Sequence, residues 1–382
     1  MKKQKICIIG GSLTGLVTAL GLSKLNCDID LVIGNTRPNV KSNRTVAVSE
    51  NNFYFLNKLK ISKSFKKKLW PCSIMKLYTE AKNGNFSEVF ELNNDNKKKK
   101  ILYMFENSKM IHLMIEKIKK IKSISIKNHK RIHEIVNSGL LKSIKFDNSR
   151  SKYNLIIICT GSNSDLVKNI FKDKIIENSY KEASFTSILS HKSIKNNTAR
   201  QIFLNNDILA LLPISNNKTS VVFSVKKNML RESDLLLKKK IKFYASKYLK
   251  KIKFLTKIES KDLNFLVRNK YYKDRILLFG DALHVVHPFV GQGFNMTLRD
   301  LTALEKILSQ KINLGLDIGS SDILSEFSDE TKPRNFVFSV GVDLLKNSFS
   351  YKKLRNDTLK ILNKSNFAKN FIFNIADNGI RF

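Results

Sequence analysis

The chain has 382 residues, 42% hydrophobic and 9% aromatic, enough for a sizeable core in one large domain or two intimately joined ones. Its formal net charge of +37 and pI near 10.0 are extreme. The lysine runs at 66–68, 97–100 and 238–240 are scattered and lack interleaved aromatics, which argues against nucleic acid. Two readings of the charge stay open: attraction to anionic lipid, or compositional drift, because Lys, Asn and Ile are abundant throughout. No run approaches the ~18 apolar residues of a spanning helix. Cys7, Cys27, Cys72 and Cys159 show no CxxC or metal spacing. Gly10, Gly11 and Gly15 interrupt the apolar start that imitates a signal peptide. A soluble cytoplasmic protein with buried, reduced thiols is expected.

Lys5 to Ile9 reads as a buried strand, Gly10 to Gly15 as a phosphate-accepting turn, Leu16 to Leu25 as a helix and Ile29 to Ile33 as a second strand. The turn has Ser12 where the pattern wants Gly. Gly34, followed by Asn35, stands where it wants an acid to bind ribose hydroxyls, and Asn35 is the expected partial substitute. Asn43 to Ser49 reads as a loop entering a helix over 53–59, followed by strands over 74–78 and 86–92 and a helix over 110–121. Segments 124–126, 132–136 and 141–146 suggest a hairpin-type insertion, and Leu155 to Cys159 a parallel-sheet strand ending at Thr160-Gly161. Strands over 180–189, 198–203, 208–213 and 220–225 suggest an antiparallel sheet, and 233–248 a basic helix.

The most informative stretch is 274–300. Ile276 to Phe279 forms a short buried strand, Gly280-Asp281 ends it, Pro288 to Gly293 makes a tight turn, and Asn295 to Leu308 reads as a helix. Asp281 therefore sits at the carboxyl edge of a sheet, where its carboxylate can meet a sugar hydroxyl. Gly291 and Gly293 let a flat ligand approach the backbone, and the following helix aims its positive dipole end at that ligand. His284 and His287 are three apart, and no carboxylate or Cys completes a metal site with them, so structural or hydrogen-bonding roles and no metal are expected. Helices over 324–334 and 353–374 close the chain.

Gly280-Asp-Ala-Leu-His284, then Pro288-Phe-Val-Gly-Gln-Gly-Phe-Asn295, then Asp300, resembles the GD motif of class A flavoprotein monooxygenases. Arg44-Thr-Val-Ala-Val-Ser49, Glu106-Asn107 and the order of the segments from Gln201 to Ser224 are similar to the ubiquinone-biosynthesis FAD-dependent hydroxylases (UbiH/UbiF-type), over almost the whole chain. That resemblance implies an α/β (α+β) protein: a Rossmann-like FAD-binding domain over 1–72, 100–175 and 265–345, an interleaved mixed or antiparallel sheet over 73–99 and 176–264 that holds substrate, and C-terminal helices over 346–382. It implies FAD held by Gly10, Ser12, Gly15, Asn35, Arg44, Gly161, Gly280, Asp281, Gly293 and Asn295. Pro288, Gly291, Gln292 and Gly293 would form the catalytic loop against the flavin ring, and Phe203, Leu211 and Phe223 the apolar substrate wall. The implied reaction is hydroxylation of a polyprenylated phenol with O2 through a flavin hydroperoxide. NAD(P)H would be the electron donor, although Thr160 replaces the family's Asp. The implied setting is the inner-membrane surface, in contact with a ubiquinone-biosynthesis complex. The departures at Ser12, Gly34 and Thr160 keep an alternative open: a catalytically weakened flavin- or quinone-binding accessory subunit.

Overall fold

Apolar runs far apart in the chain become neighbours in one sheet. The computed structural model describes residues 3–34, 42–61, 65–81, 85–93, 99–128, 131–147, 149–173, 175–205, 207–227, 234–288, 291–349 and 351–380. Strand Gln4–Ile9 pairs in parallel with Cys27–Ile33 on one side and Leu155–Ile158 on the other. Ile124–Asn128 and Ile276–Leu278 extend the two flanks, also in parallel, and Tyr272–Lys273 adds an antiparallel edge. Every residue of Leu155–Ile158 is 0% exposed, as an unbroken apolar run predicts for a strand covered on both faces. The buried Asp30 is neutralised by Lys5 Nζ at 2.8 Å and the Tyr153 hydroxyl at 2.8 Å.

Two segments take other roles than the pattern suggested. Ile124–Asn128 is not part of a hairpin insertion but the outer strand of the parallel sheet; the insertion is Glu134–Ser138, Leu141–Lys145 and Arg150–Tyr153, all antiparallel. Thr45–Ser49, expected as loop, is a strand, because Leu102–Glu106 lies alongside it and supplies its hydrogen-bond partners.

The second large sheet runs His284–Val285, Glu259–Arg268, Ile175–Ser190, Lys218–Lys226, Ile208–Ser215, Thr198–Phe203, Ile74–Glu80, Phe86–Asn93, with Lys253–Phe254 beside Ile175–Ser190. Only Thr198–Phe203 with Ile74–Glu80 is parallel, so the sheet is mixed. Helix Asp234–Ala245 covers one face through Leu237, Ile241 and Ala245. Part of the other face, around Leu77, Phe90 and Phe203, lies under Phe349 and Leu359 of the C-terminal helices. Helix Ser321–Ser348 passes through Pro333, where a helix interior normally breaks. Asn335, one turn-half later, is tethered to Asp300 at 3.0 Å and holds the segment in place.

Candidate functional site

Four strands of the parallel sheet deliver their carboxyl ends to one crevice: Gly10, Gly34, Thr160-Gly161 and Gly280-Asp281 follow Gln4–Ile9, Cys27–Ile33, Leu155–Ile158 and Ile276–Leu278. Such an edge is where open α/β sheets receive ligands. Gly10 has φ +138°, and a Cβ there would lie 2.8 Å from the Cys159 carbonyl oxygen. A Cβ on Gly15 would lie 1.9 Å from the Gly10 carbonyl oxygen, so helix Leu13–Leu22 can pack against the turn only with glycine at this position. Ser12 is the helix N-cap, exposed and making no side-chain cap hydrogen bond, so its hydroxyl stands clear of the turn. Burial pushes the neighbouring Cys159 thiol up to about 12, which leaves it inert.

Gly280 (φ +63°) joins this turn to the second half of the crevice: a Cβ there would meet Thr14 Cγ2 at 2.6 Å and Thr297 Oγ1 at 3.4 Å. Asp281 follows, exposed on the short turn Gly280–Ala282, and its carboxylate has no hydrogen-bond or ion-pair partner among the described residues. The chain then crosses to the mixed sheet, where Val285 pairs with Leu266. Pro288 accepts the Gly291 N–H at 2.8 Å and closes the turn; Gly291 has φ +63°. Helix Gly293–Asn313 starts two residues earlier than its apolar pattern suggests, so Gly293 is its first residue and the free N–H groups point back along 291–293. Gln292 is 1% exposed, yet its Oε1 has no partner among the described residues.

Asn295 does not offer its side chain to a ligand. Its amide donates to the carbonyls of Ala47 (3.1 Å) and Gly291 (3.3 Å), while Oδ1 accepts from Ser49 N (2.9 Å) and Asn52 Nδ2 (3.0 Å). Its side chain holds the loop to the strand. Arg44 is half-buried beside the same strand, and its guanidinium makes no hydrogen bond or ion pair among the described residues. Two residues quoted in the motifs above but given no role toward a cofactor flank it: Thr45 Oγ1 and Asn107 Oδ1 are buried without partners among the described residues, and Asn107 N donates to the Arg44 carbonyl at 2.9 Å. Their signal as cofactor contacts is faint, since Thr45 opens a strand and an Asn beside a helix start usually serves as a cap. Gly161 (φ +89°) has open space around it, and Asn35 lies outside the described residues.

The two histidines each have their own carboxylate. His284 bonds Asp300 at 2.8 Å, and Asp300 also accepts from Asn335. His287 bonds Glu182 at 3.2 Å, and Glu182 is in turn paired with Lys346. A register shift between Ser179 and Glu182, with Lys181 at φ +53°, turns Glu182 toward His287. Among the described residues no group of three His, Cys, Asp or Glu gathers for a metal.

The substrate wall needs correction. Leu211 and Phe223 belong to the core under helix Asp234–Ala245, on the sheet face away from the crevice. Phe203 is on the opposite face but is sealed by Phe349 (ring centroids 5.4 Å apart) and by Arg355 over its ring at 4.8 Å. Alternation separates two faces without saying which one a helix will cover.

A glycine cradle that a Cβ would fill, a carboxylate at a strand end and buried atoms on Gln292, Thr45 and Asn107, all without partners among the described residues, fit a dinucleotide carrying a flat, polar-edged ring. Fold and site together define a flavin-type nucleotide-dependent oxidoreductase. The chain belongs to the family described as FAD binding domain, whose family model matches residues 3–335. Ubiquinone biosynthesis monooxygenase COQ6, mitochondrial, of Dictyostelium discoideum is 24% identical over 457 aligned residues, covering 97% of this chain and 90% of that protein. Ubiquinone hydroxylase UbiL of Rhodospirillum rubrum is 28% identical over 177 residues, covering 45% of this chain and 41% of that protein. The crystal structure of p-nitrophenol 4-monooxygenase PnpA from Pseudomonas putida superposes with a TM-score of 0.81 at 14% identity, covering 100% and 99% of the two chains, which establishes the shared fold.

Proposed function

We propose that this protein is an FAD-dependent aromatic-ring hydroxylase that acts on a polyprenylated phenol in ubiquinone biosynthesis. The observation that carries the reading is the crevice itself: the free carboxylate of Asp281 at one strand end and the buried, unpartnered Oε1 of Gln292 on the loop that follows. The similarity to a ubiquinone biosynthesis monooxygenase over 97% of this chain, and to ubiquinone hydroxylases over parts of it, supports the substrate class. FAD, when bound and reduced, supplies the activation of O2, a step side chains cannot perform.

The residues bind, orient and exclude water. Gly10 and Gly15, with exposed Ser12, accept the pyrophosphate at the N-terminus of Leu13–Leu22. Asp281 takes the ribityl hydroxyls, and Arg44 holds the nucleotide half with help from Asn107. The N-terminus of Gly293–Asn313 and the Gly291-Gln292-Gly293 backbone favour negative charge on the ring. Pro288 stiffens the loop on the substrate side. The presence of two large sheets supports a division into an FAD-binding part and a sheet part, with His284–Val285 crossing from the first to pair in the second. NAD(P)H is the proposed electron donor. The surface charge favours docking on an anionic inner-membrane leaflet beside partner enzymes of the pathway; among the described residues no helix is long and apolar enough to cross a membrane.

The visible spectrum of the purified protein tests this reading, with denaturation to release and identify the cofactor. Stoichiometric FAD is expected. A colourless protein that refuses added FAD would sink the hydroxylase reading in favour of the accessory-subunit one.

A further inference from the structure

The mixed sheet presents a second, less obvious wall. Ala199 and Leu212 cluster with Ala47, and a Cβ on Gly291 would lie 3.7 Å from the Ala47 Cβ, so their face of the sheet looks toward the ring-binding loop. Gln201 shares that face with Ala199, two residues away along the strand. Ser220 shares it with Leu212, its cross-strand partner, and Val222 shares it with Ala210. Ile208, Ala210, Leu212 and Val222 on this face are half-buried, whereas Leu209, Leu211, Val221 and Phe223 on the other are fully covered. At these four positions the face toward the loop is the less closely covered one.

Polar side chains interrupt it. Gln201 is 4% exposed and Ser220 is 0% exposed, and neither Gln201 Nε2 nor Ser220 Oγ has a hydrogen-bond partner among the described residues. Ser184 and Thr186, on the same side of the neighbouring strand, bond to the carbonyls of Lys261 and Glu259. Buried polar groups are nearly always satisfied, and an unsatisfied pair in one wall calls for a ligand that satisfies it. Gln201 faces Ala210 across one strand boundary and Ser220 faces Leu212 across the next. Strand spacing and rise put the two about 12 Å apart at the backbone, with small and apolar residues between. A ring with oxygens on opposite sides and a hydrogen bond at each end is of about that length.

We infer that Gln201 and Ser220 are specificity-determining residues that hydrogen-bond the ring oxygens of the phenolic substrate, while Ala210, Leu212 and Val222 contact its apolar face. This rests on the hydroxylase reading above. The Gln201 amide donates to a phenol, phenolate or alkoxy oxygen, and the Ser220 hydroxyl donates or accepts at a second position on the ring. The wall thus reads the head of the molecule by its oxygens and is indifferent to chain length.

The test titrates 4-methoxy-2-prenylphenol, which carries two ring oxygens, and prenylbenzene, the same ring without them, into the FAD-loaded protein and follows the flavin absorbance. The wild type is expected to prefer the phenol by about tenfold or more. Gln201→Leu and Ser220→Ala should each reduce that preference while FAD affinity stays unchanged, which also confirms that the variants fold. A preference that persists in both variants overturns the inference and leaves the hydroxylase reading standing. So does a wild type that binds both rings equally, with ordered water serving the pair. A wild type that takes up no FAD overturns both.

Discussion

Asn295 Oδ1 accepts the Ser49 backbone N–H at 2.9 Å, so the helix that follows the ring-facing turn is clasped to the strand that follows Arg44. The same side chain ties Ala47 and Gly291, and one buried residue therefore sets the distance between the loop and the strand. Asn295→Leu strands a buried N–H and two carbonyls. Unsatisfied buried groups cost about 1–3 kcal/mol each, so a loss of several kcal/mol in urea unfolding is expected, together with weaker FAD binding. Unchanged stability would show that the clasp contributes nothing.

Asp281 is the opposite case. It is exposed and makes no contact that folding depends on. Asp281→Ala should leave unfolding within about 0.5 kcal/mol of wild type. It should lower FAD affinity by roughly ten- to a hundredfold, as expected when a charge-assisted hydrogen bond is removed. A fully loaded variant after purification would refute the placement of this residue on the cofactor.

Acid should act through His287. Burial pushes its imidazole below the ordinary 6.5, against the pull of Glu182. Burial alone would raise Glu182, but its bonds from His287 and Lys346 hold the carboxyl below the ordinary 4.5. Asp343, bonded to Tyr180, and Lys346 are the other charges facing the pair. For both groups the unfolded chain takes up the proton at higher pH than the folded one. Their stabilisation is complete above about pH 6.5, declines as pH falls through that value for His287, and declines further below about 4.5 for Glu182. The loss is at most about 1.4 kcal/mol per pH unit for each proton. Urea unfolding at pH 7.5 and 5.5 checks this: His287→Gln should flatten the difference, and an equally steep variant would assign the pH dependence elsewhere.

Much of the crevice was legible before any coordinates. The turns at 10–15 and 280–293 are short-range features, and their glycines are dictated by local necessity: Gly15 because a carbonyl lies where its Cβ would be, Gly280 because its φ is positive and Thr14 abuts it. The apolar run Leu155–Ile158 could only be a strand buried on both faces. These signals survive in a one-dimensional reading because they concern residues a few positions apart.

What the tertiary structure alone decided was partnership across the chain. Alternation in 208–215 and 218–226 marks two faces, but only helix Asp234–Ala245 makes Leu211 and Phe223 core, leaving Gln201, Ala210 and Ser220 toward the loop. Thr45–Ser49 is a strand because Leu102–Glu106 lies beside it, and Ile124–Asn128 joins the parallel sheet because Cys27–Ile33 has an open edge. The helix runs on past Pro333 with Asn335 bonded to Asp300, 35 residues earlier. The sequence by itself determined the class of fold, the nucleotide cradle and the ring-facing turn, through conformational limits carried by single residues. Which side chains complete the site depended on which surfaces met, and that is settled by long-range burial and hydrogen-bond satisfaction, quantities no local pattern encodes.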